Sequence, residues 1–92
     1  MADTLNRRLE IVNMKGLHAR ASAKLVETVE RFDAQCTVSR DGLSAAGDSI
    51  MGLLMLAASQ GTFIDVVIEG DEAEALAEAI TDLVNNKFGE GQ

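Results

Sequence analysis

His18 is the only histidine in the chain, and it lies between a loop containing Gly16 and the start of a predicted helix. The first turn of a helix leaves backbone N–H groups unpaired and carries partial positive charge, so a phosphate placed there meets ready-made donors. The same field disfavours the imidazolium form, and a neutral imidazole has a lone pair that can act as a nucleophile. Arg20 offers a planar guanidinium suited to phosphate oxygens. We therefore interpret His18 and Arg20 as a candidate phosphoryl-transfer site; an ordinary surface or capping role for the histidine is the alternative.

Ser49 is the second candidate, and it precedes the apolar segment 50–58. A serine in this position can cap a helix by accepting a hydrogen bond from an unpaired backbone N–H, which is the more common role. The functional alternative is a phosphorylation site. A phosphoserine here adds roughly −1.5 to −2 charges at the helix start and repels an acidic partner.

The segment that follows Ser49 has almost no polar side, so some of its apolar residues must fill the core and others must face outward. We expect the exposed ones to be Ile50, Met51 and Leu54. Exposed apolar clusters on small proteins often mark docking sites, and methionine adapts to several partners. The alternative is a helix that is buried on all sides.

Composition excludes several classes of function. The net charge of −7 argues against binding a nucleic-acid backbone, which needs clustered lysine and arginine. No apolar run approaches the roughly 18 residues of a membrane span, and the N-terminus lacks the layout of a secretory signal. A single cysteine, Cys36, agrees with a reducing compartment, and its place on the inward side of a strand suggests a small hydrophobe. We expect one cytoplasmic domain over residues 1–92, with no membrane insertion and no metal site.

Hydrophobic periodicity predicts the elements that position these residues. Alternating apolar residues indicate strands, and spacings of three and four indicate helices. The predicted bounds are strands 4–12, 34–40, 43–46 and 62–69, and helices 19–32, 50–58 and one that opens at residues 70–71. Asp41-Gly42 is typical of a tight hairpin turn, and Asp71 with Glu74 resembles a capping box. Polar residues on the outward side of each strand predict a sheet covered on one face, an α+β two-layer sandwich of order βαββαβα.

Two motifs resemble one known family. Residues 16–20 (GLHAR) resemble the active-site signature of HPr, the histidine-containing phosphocarrier of the bacterial phosphoenolpyruvate-dependent phosphotransferase system (PTS). Residues 49–52 (SIMG) resemble the regulatory-serine signature of the same family. The resemblance runs from about Leu5 to Lys87. It departs at Ala21, where the family usually has proline, and at Asp48, where many relatives have lysine.

The resemblance implies an open-faced β-sandwich, with a four-stranded antiparallel sheet and three helices on one face. It implies that enzyme I phosphorylates His18 on Nδ1, that Arg20 contacts the phosphoryl group, and that the group then passes to a IIA-type protein. Ser49 would be the target of an HPr kinase/phosphorylase, and its modification would weaken docking by enzyme I. We expect a monomeric carrier rather than an enzyme, without a cofactor, in sugar uptake or in a nitrogen-related regulatory branch.

Two other functions stay open on the sequence alone. A regulatory binding module would act only by docking its apolar surface, with phosphorylation on Ser49. A small hydrolase of acyl phosphates would turn over substrate without enzyme I. The sequence contains no P-loop or nucleotide fingerprint, and no residue resembles a general base near His18.

Overall fold

The computed structural model describes residues 4–92. Two expectations, on the N-terminal leader and on a domain that starts at residue 1, fall partly on residues 1–3, which lie outside the described residues. The elements follow the predicted order. They are β1 (Thr4–Glu10), α1 (Ala19–Glu30), β2 (Gln35–Arg40), β3 (Leu43–Ala46), α2 (Ile50–Met55), β4 (Phe63–Glu69) and α3 (Ala73–Asn85), followed by a short turn at Lys87–Gly89.

All four strands pair antiparallel in one sheet of order β1-β4-β2-β3. Leu9 lies opposite Ile64, and Val38 lies opposite Val66, so apolar side chains of neighbouring strands share one face. The predicted α+β open-faced β-sandwich, with four antiparallel strands and three helices, is confirmed.

The core lies between this face of the sheet and the three helices. Each helix contributes one fully buried leucine, namely Leu25, Leu53 and Leu76. Burying a side chain of this size contributes roughly 1.5–3 kcal/mol to stability. The largest fully buried side chain is Phe88, which comes from beyond the end of α3 and ties the C-terminal segment to the core.

Several elements are shorter than predicted. β1 ends at Glu10 and α1 at Glu30, two residues before their predicted ends. α2 ends at Met55, three residues before its predicted end at Ala58. The physical reason is the backbone of Ala57, whose φ of 52° is left-handed and cannot continue a right-handed helix.

The two ends of α3 also differ from prediction. The capping box of Asp71 with Glu74 does not form. Glu72 is the N-cap residue, and its carboxylate accepts a hydrogen bond from the backbone N–H of Asp33 at 2.7 Å. At the C-terminal end, the apolar spacing of Leu76, Ile80 and Leu83 predicts one buried stripe, but Leu83 is only partly buried. Val84 is fully buried instead.

The outer face of the sheet is less polar than predicted. Phe63 on β4 is exposed there, and the guanidinium carbon of Arg8 lies 5.1 Å from its ring centroid. A cation placed over an aromatic ring is attracted by the negative face of the ring. Arg8 therefore shields part of an apolar side chain that the sheet does not bury. None of the helices within residues 4–92 has the length and apolar character needed to cross a membrane.

Candidate functional site

His18 is the N-cap residue of α1, and it caps the helix through one specific ring nitrogen. Nδ1 accepts a hydrogen bond from the backbone N–H of Arg20 at 3.2 Å. The carbonyl of His18 accepts the first backbone bond of the helix, from Ser22 N at 2.8 Å. Nδ1 therefore lies at the positive end of α1, beside a first-turn amide.

The loop before His18 is held against the segment that follows α2. Leu17 N donates to the carbonyl of Ala58 at 2.8 Å. Gly16 has a φ of +67°, and a Cβ atom at this position would lie 2.4 Å from the same carbonyl oxygen. Only glycine fits a left-handed backbone at such a close approach. The position of the imidazole thus depends on Gly16.

The other ring nitrogen, Nε2, contacts a carboxylate that sequence reasoning missed. It hydrogen-bonds Oε2 of Glu90, and Oε1 of Glu90 accepts from the side-chain amide of Asn13 at 2.9 Å. Because Glu90 accepts the proton of Nε2, the lone pair of the neutral ring is left on Nδ1. The expectation that no candidate base lies near His18 is wrong, because the carboxylate of Glu90 contacts the ring from 72 positions away in the chain.

Glu90 is ionised at neutral pH. Desolvation raises the pKa of its carboxyl group, but hydrogen bonds from Asn13 and His18, with the charges of His18 and Lys15, lower that pKa by more. The net result is a pKa below the ordinary value of 4.5. Its side chain is only 13% exposed, so this charge lies partly inside the protein.

A left-handed turn brings Glu90 to the site. Lys87, Phe88 and Gly89 have φ values of 55°, 54° and 76° in succession. Left-handed backbone costs roughly 1–2 kcal/mol for each residue other than glycine. The buried ring of Phe88 holds the turn in place, and Nζ of Lys24 donates to the carbonyl of Phe88 at 2.6 Å.

His18 opens onto a cleft of about 250 Å³ that carries three cationic side chains, Lys15, Arg20 and Lys24. The histidine side chain is 27% exposed, so another protein can reach it. Within residues 4–92, the exposed guanidinium of Arg20 makes no ion pair and no side-chain hydrogen bond. On a chain of net charge −7, this is a local site that can receive an anion. Ala21, by contrast, is fully buried.

Ser49 is the N-cap residue of α2. Its Oγ accepts a hydrogen bond from Gly52 N at 3.1 Å, which confirms the capping interpretation, whereas its phosphorylation stays a prediction. A Cβ atom on Gly52 would lie 3.0 Å from the side chain of Ala45 and 3.1 Å from Oγ of Ser49. The small size of residue 52 therefore lets the cap pack against β3.

The exposed side of α2 differs by one residue from the prediction. Met51 is 70% exposed and Met55 is 75% exposed, and Ile50 is exposed beside them. Leu54 is half-buried, so the expectation that it is exposed is wrong, and so is the alternative of a fully buried helix. Residues four apart share one helix face, which places Met51 and Met55 together. We call Ile50, Met51 and Met55 the α2 surface.

Cys36 is buried on β2, as predicted for a small hydrophobe. Burial, with a smaller contribution from the charge of Asp48, raises the pKa of its thiol to about 12. A thiol with this pKa is almost entirely protonated at neutral pH and is a poor nucleophile.

Comparison with known proteins places the chain among phosphocarriers. Residues 5–86 match the PTS-HPr family model, described as "PTS HPr component phosphorylation site". The chain is 48% identical over 89 residues to phosphocarrier protein HPr of Neisseria meningitidis serogroup A, covering 96% of this chain and 99% of the relative. It is 44% identical over 86 residues to phosphocarrier protein HPr of Xylella fastidiosa strain Temecula1, covering 94% and 97%. The crystal structure of HPr-C-His from Thermoanaerobacter tengcongensis matches with a TM-score of 0.89 and 40% identity, covering 94% of this chain and 97% of that one.

Proposed function

The chain belongs to the HPr family of PTS phosphocarriers, and on that premise we propose that Nδ1 of His18 accepts and releases the phosphoryl group. The observation that carries the proposal is that the two ring nitrogens have different partners. Nε2 contacts the Glu90 carboxylate, and Nδ1 contacts a first-turn amide of α1. The nucleophilic lone pair therefore lies where the phosphorylated product meets backbone donors and the positive helix end.

In the proposed transfer, the lone pair of Nδ1 forms a bond to the phosphorus atom carried by phosphorylated enzyme I. The bond from phosphorus to the donor atom breaks, and its electron pair stays with enzyme I. The second transfer, to a IIA-type protein, breaks the Nδ1–P bond in the same way. Phosphoryl transfer depends mainly on positioning and charge neutralisation, and Arg20 supplies a cation that has no ion-pair partner within residues 4–92.

The α2 surface is the proposed docking site for enzyme I and the IIA-type protein. Exposed methionines, such as Met51 and Met55, fit several partners because their side chains are flexible and polarizable. Ser49 caps the same helix, so a phosphate from an HPr kinase/phosphorylase would add roughly −1.5 to −2 charges beside this surface. That charge, next to exposed Asp48, would weaken the approach of an acidic partner. We propose that residues 1–92 form one such carrier domain and act as a monomer.

The test is labelling with enzyme I and radioactive phosphoenolpyruvate. Wild type and Ser49→Ala should form a phosphoprotein that is labile in acid and stable in alkali, and His18→Ala should form none. Label that persists in His18→Ala contradicts the proposal. Label that depends on Ser49 alone would favour the binding-module alternative, and phosphate release without enzyme I would favour the hydrolase alternative.

A further inference from the structure

We propose that Glu90 is a positioning residue for His18, and that its carboxylate keeps the ring proton on Nε2 through both phosphoryl transfers. The inference rests on the proposed role of His18 as phosphoryl acceptor. It assigns a function to the C-terminal segment, which lies beyond the family-model match that ends at residue 86.

Groups on both sides hold the Glu90 carboxylate. One oxygen contacts Nε2 of His18, and the other accepts from the side-chain amide of Asn13. The same Asn13 amide nitrogen donates to the carbonyl of Gly16 at 2.8 Å, and Asn13 is fully buried. Asn13 thus ties Glu90 to the loop that places His18, so carboxylate and imidazole share one rigid support.

The backbone of residues 87–89 supports a functional reading of this contact. Non-glycine residues in left-handed conformations persist only where surrounding structure holds them, and they cluster at functional sites. Here the buried ring of Phe88 and the Lys24 ammonium hold the turn. The next residue after the turn is Glu90, and its side chain is the only acidic one lining the His18 cleft within the described residues.

The chemistry explains why the proton should stay on Nε2. Attack by Nδ1 on phosphorus turns the neutral ring into a cation, which carries phosphorus on Nδ1 and hydrogen on Nε2. Glu90 offsets that positive charge. When the phosphoryl group leaves, the electron pair of the Nδ1–P bond returns to Nδ1, and the ring departs as neutral imidazole. If the Nε2 proton were lost first, the leaving group would be an imidazolate anion, which leaves far more slowly. Holding the proton on Nε2 therefore lets both transfers proceed without any proton movement.

The first test measures the tautomer of His18 directly. Protein with ¹⁵N-labelled histidine is studied by NMR in mildly alkaline buffer, where imidazole is neutral. Wild type should show a nearly pure Nε2–H ring. Glu90→Ala should show a larger share of the Nδ1–H tautomer, although the backbone N–H of Arg20 still donates to Nδ1 and limits the change. Glu90→Gln should lie between them, because its amide oxygen still accepts a hydrogen bond. Glu78→Gln, an exposed position on α3, is the matched control and should behave as wild type. Equal tautomer ratios in all four proteins would overturn the proposal.

The second test measures the rate of transfer from the phosphorylated protein to a IIA-type protein by rapid quenching. We expect a loss of about tenfold in Glu90→Ala and a smaller loss in Glu90→Gln, by analogy with carboxylates that orient metal-ligating histidines. A wild-type rate in Glu90→Ala would overturn the proposal. If wild type itself accepts no phosphoryl group, the proposed function fails, whereas a tautomer change in Glu90→Ala would still support Glu90 as the residue that positions the ring.

Discussion

The N-termini of α1 and α2 use the same local device. In each, the side chain of the N-cap residue accepts a hydrogen bond from a first-turn amide: His18 from Arg20 N at 3.2 Å, and Ser49 from Gly52 N at 3.1 Å. Both caps satisfy a donor that the helix leaves unpaired. Both N-cap residues also have extended backbone.

Their surroundings make the two positions different. Lys15, Arg20 and Lys24 line the cleft beside His18, and Glu90 occupies its Nε2 side. Ser49 instead adjoins the exposed methionines of the α2 surface. The comparison teaches that tertiary neighbours, rather than the cap, determine what a helix start can do. In the proposed function, one end receives the phosphoryl group and orients the His18 nucleophile, while the other adjoins the proposed docking surface.

The largest expected effect concerns the loop that positions His18. Gly16→Ala adds a Cβ atom 2.4 Å from the Ala58 carbonyl oxygen and strains a left-handed backbone, so we expect the free energy of unfolding to fall by roughly 2–4 kcal/mol. Gly61→Ala is the matched control, because Gly61 is also left-handed but has open space around it; we expect a loss of about 1 kcal/mol. Urea unfolding measures both. Equal losses would show that the contact with Ala58 does not hold the His18 loop.

Removing the unpaired cation should slow phosphoryl transfer without unfolding the protein. Arg20→Ala removes the guanidinium that we propose contacts the phosphoryl group, so we expect labelling by enzyme I to slow by roughly 10- to 100-fold. Arg31→Ala removes an exposed arginine at the other end of α1 and should label at the wild-type rate. If Arg20→Ala matches Arg31→Ala, the guanidinium does not contact the phosphoryl group.

The Ser49 side is tested by placing charge on the α2 surface. Met51→Glu should raise the KM of enzyme I for the carrier by roughly tenfold and leave kcat nearly unchanged. The reason is that docking is weakened while His18 is intact. Phe63→Glu changes another exposed apolar residue, on the outer face of the sheet, and should have no effect on KM. An unchanged KM in Met51→Glu would place docking elsewhere.

Two substitutions at Ser49 separate its cap from its charge. Ser49→Ala loses the hydrogen bond from Gly52 N, so thermal unfolding should show a loss of about 1 kcal/mol with labelling unchanged. Ser49→Asp keeps a capping oxygen, so its stability should stay near wild type. It also adds negative charge, so the KM of enzyme I for this variant should rise. If enzyme I binds the Ser49→Asp variant as well as wild type, charge at this position does not weaken docking.

The smallest expected effect concerns pH. Because the pKa of Glu90 is lower in the folded protein than the ordinary 4.5, the unfolded chain binds its proton first as pH falls. The stability from this contact is present above pH 4.5 and is lost as pH falls through the folded pKa. Between neutral and acid pH, the temperature of thermal unfolding should fall less steeply for Glu90→Gln than for wild type. Parallel curves would mean that the Glu90 contact contributes nothing to stability.

The sequence predicts much of the fold and the centre of the site. Period-two and helical spacings give the order of elements, and His18, Arg20 and Ser49 are recognisable because each lies at a helix start. Glu90 could not be found this way, since it reaches His18 only through consecutive left-handed residues, and Lys87 and Phe88 give no local signal for that backbone.

The assignment of exposed residues on α2 fails for a different reason. A helix of six residues with no polar members offers no contrast between its faces, so exposure depends on where its axis packs. Leu54 is half-buried, whereas Met55 is 75% exposed. Sequence spacing identifies a surface here but not its exact members.

The most direct test of the central claim is NMR of the phosphorylated protein prepared with ¹⁵N-labelled histidine. We predict that the phosphorus signal couples to Nδ1 of His18, while Nε2 keeps its hydrogen. Phosphorus bonded to Nε2, or a phosphate found on serine instead of histidine, would contradict the account.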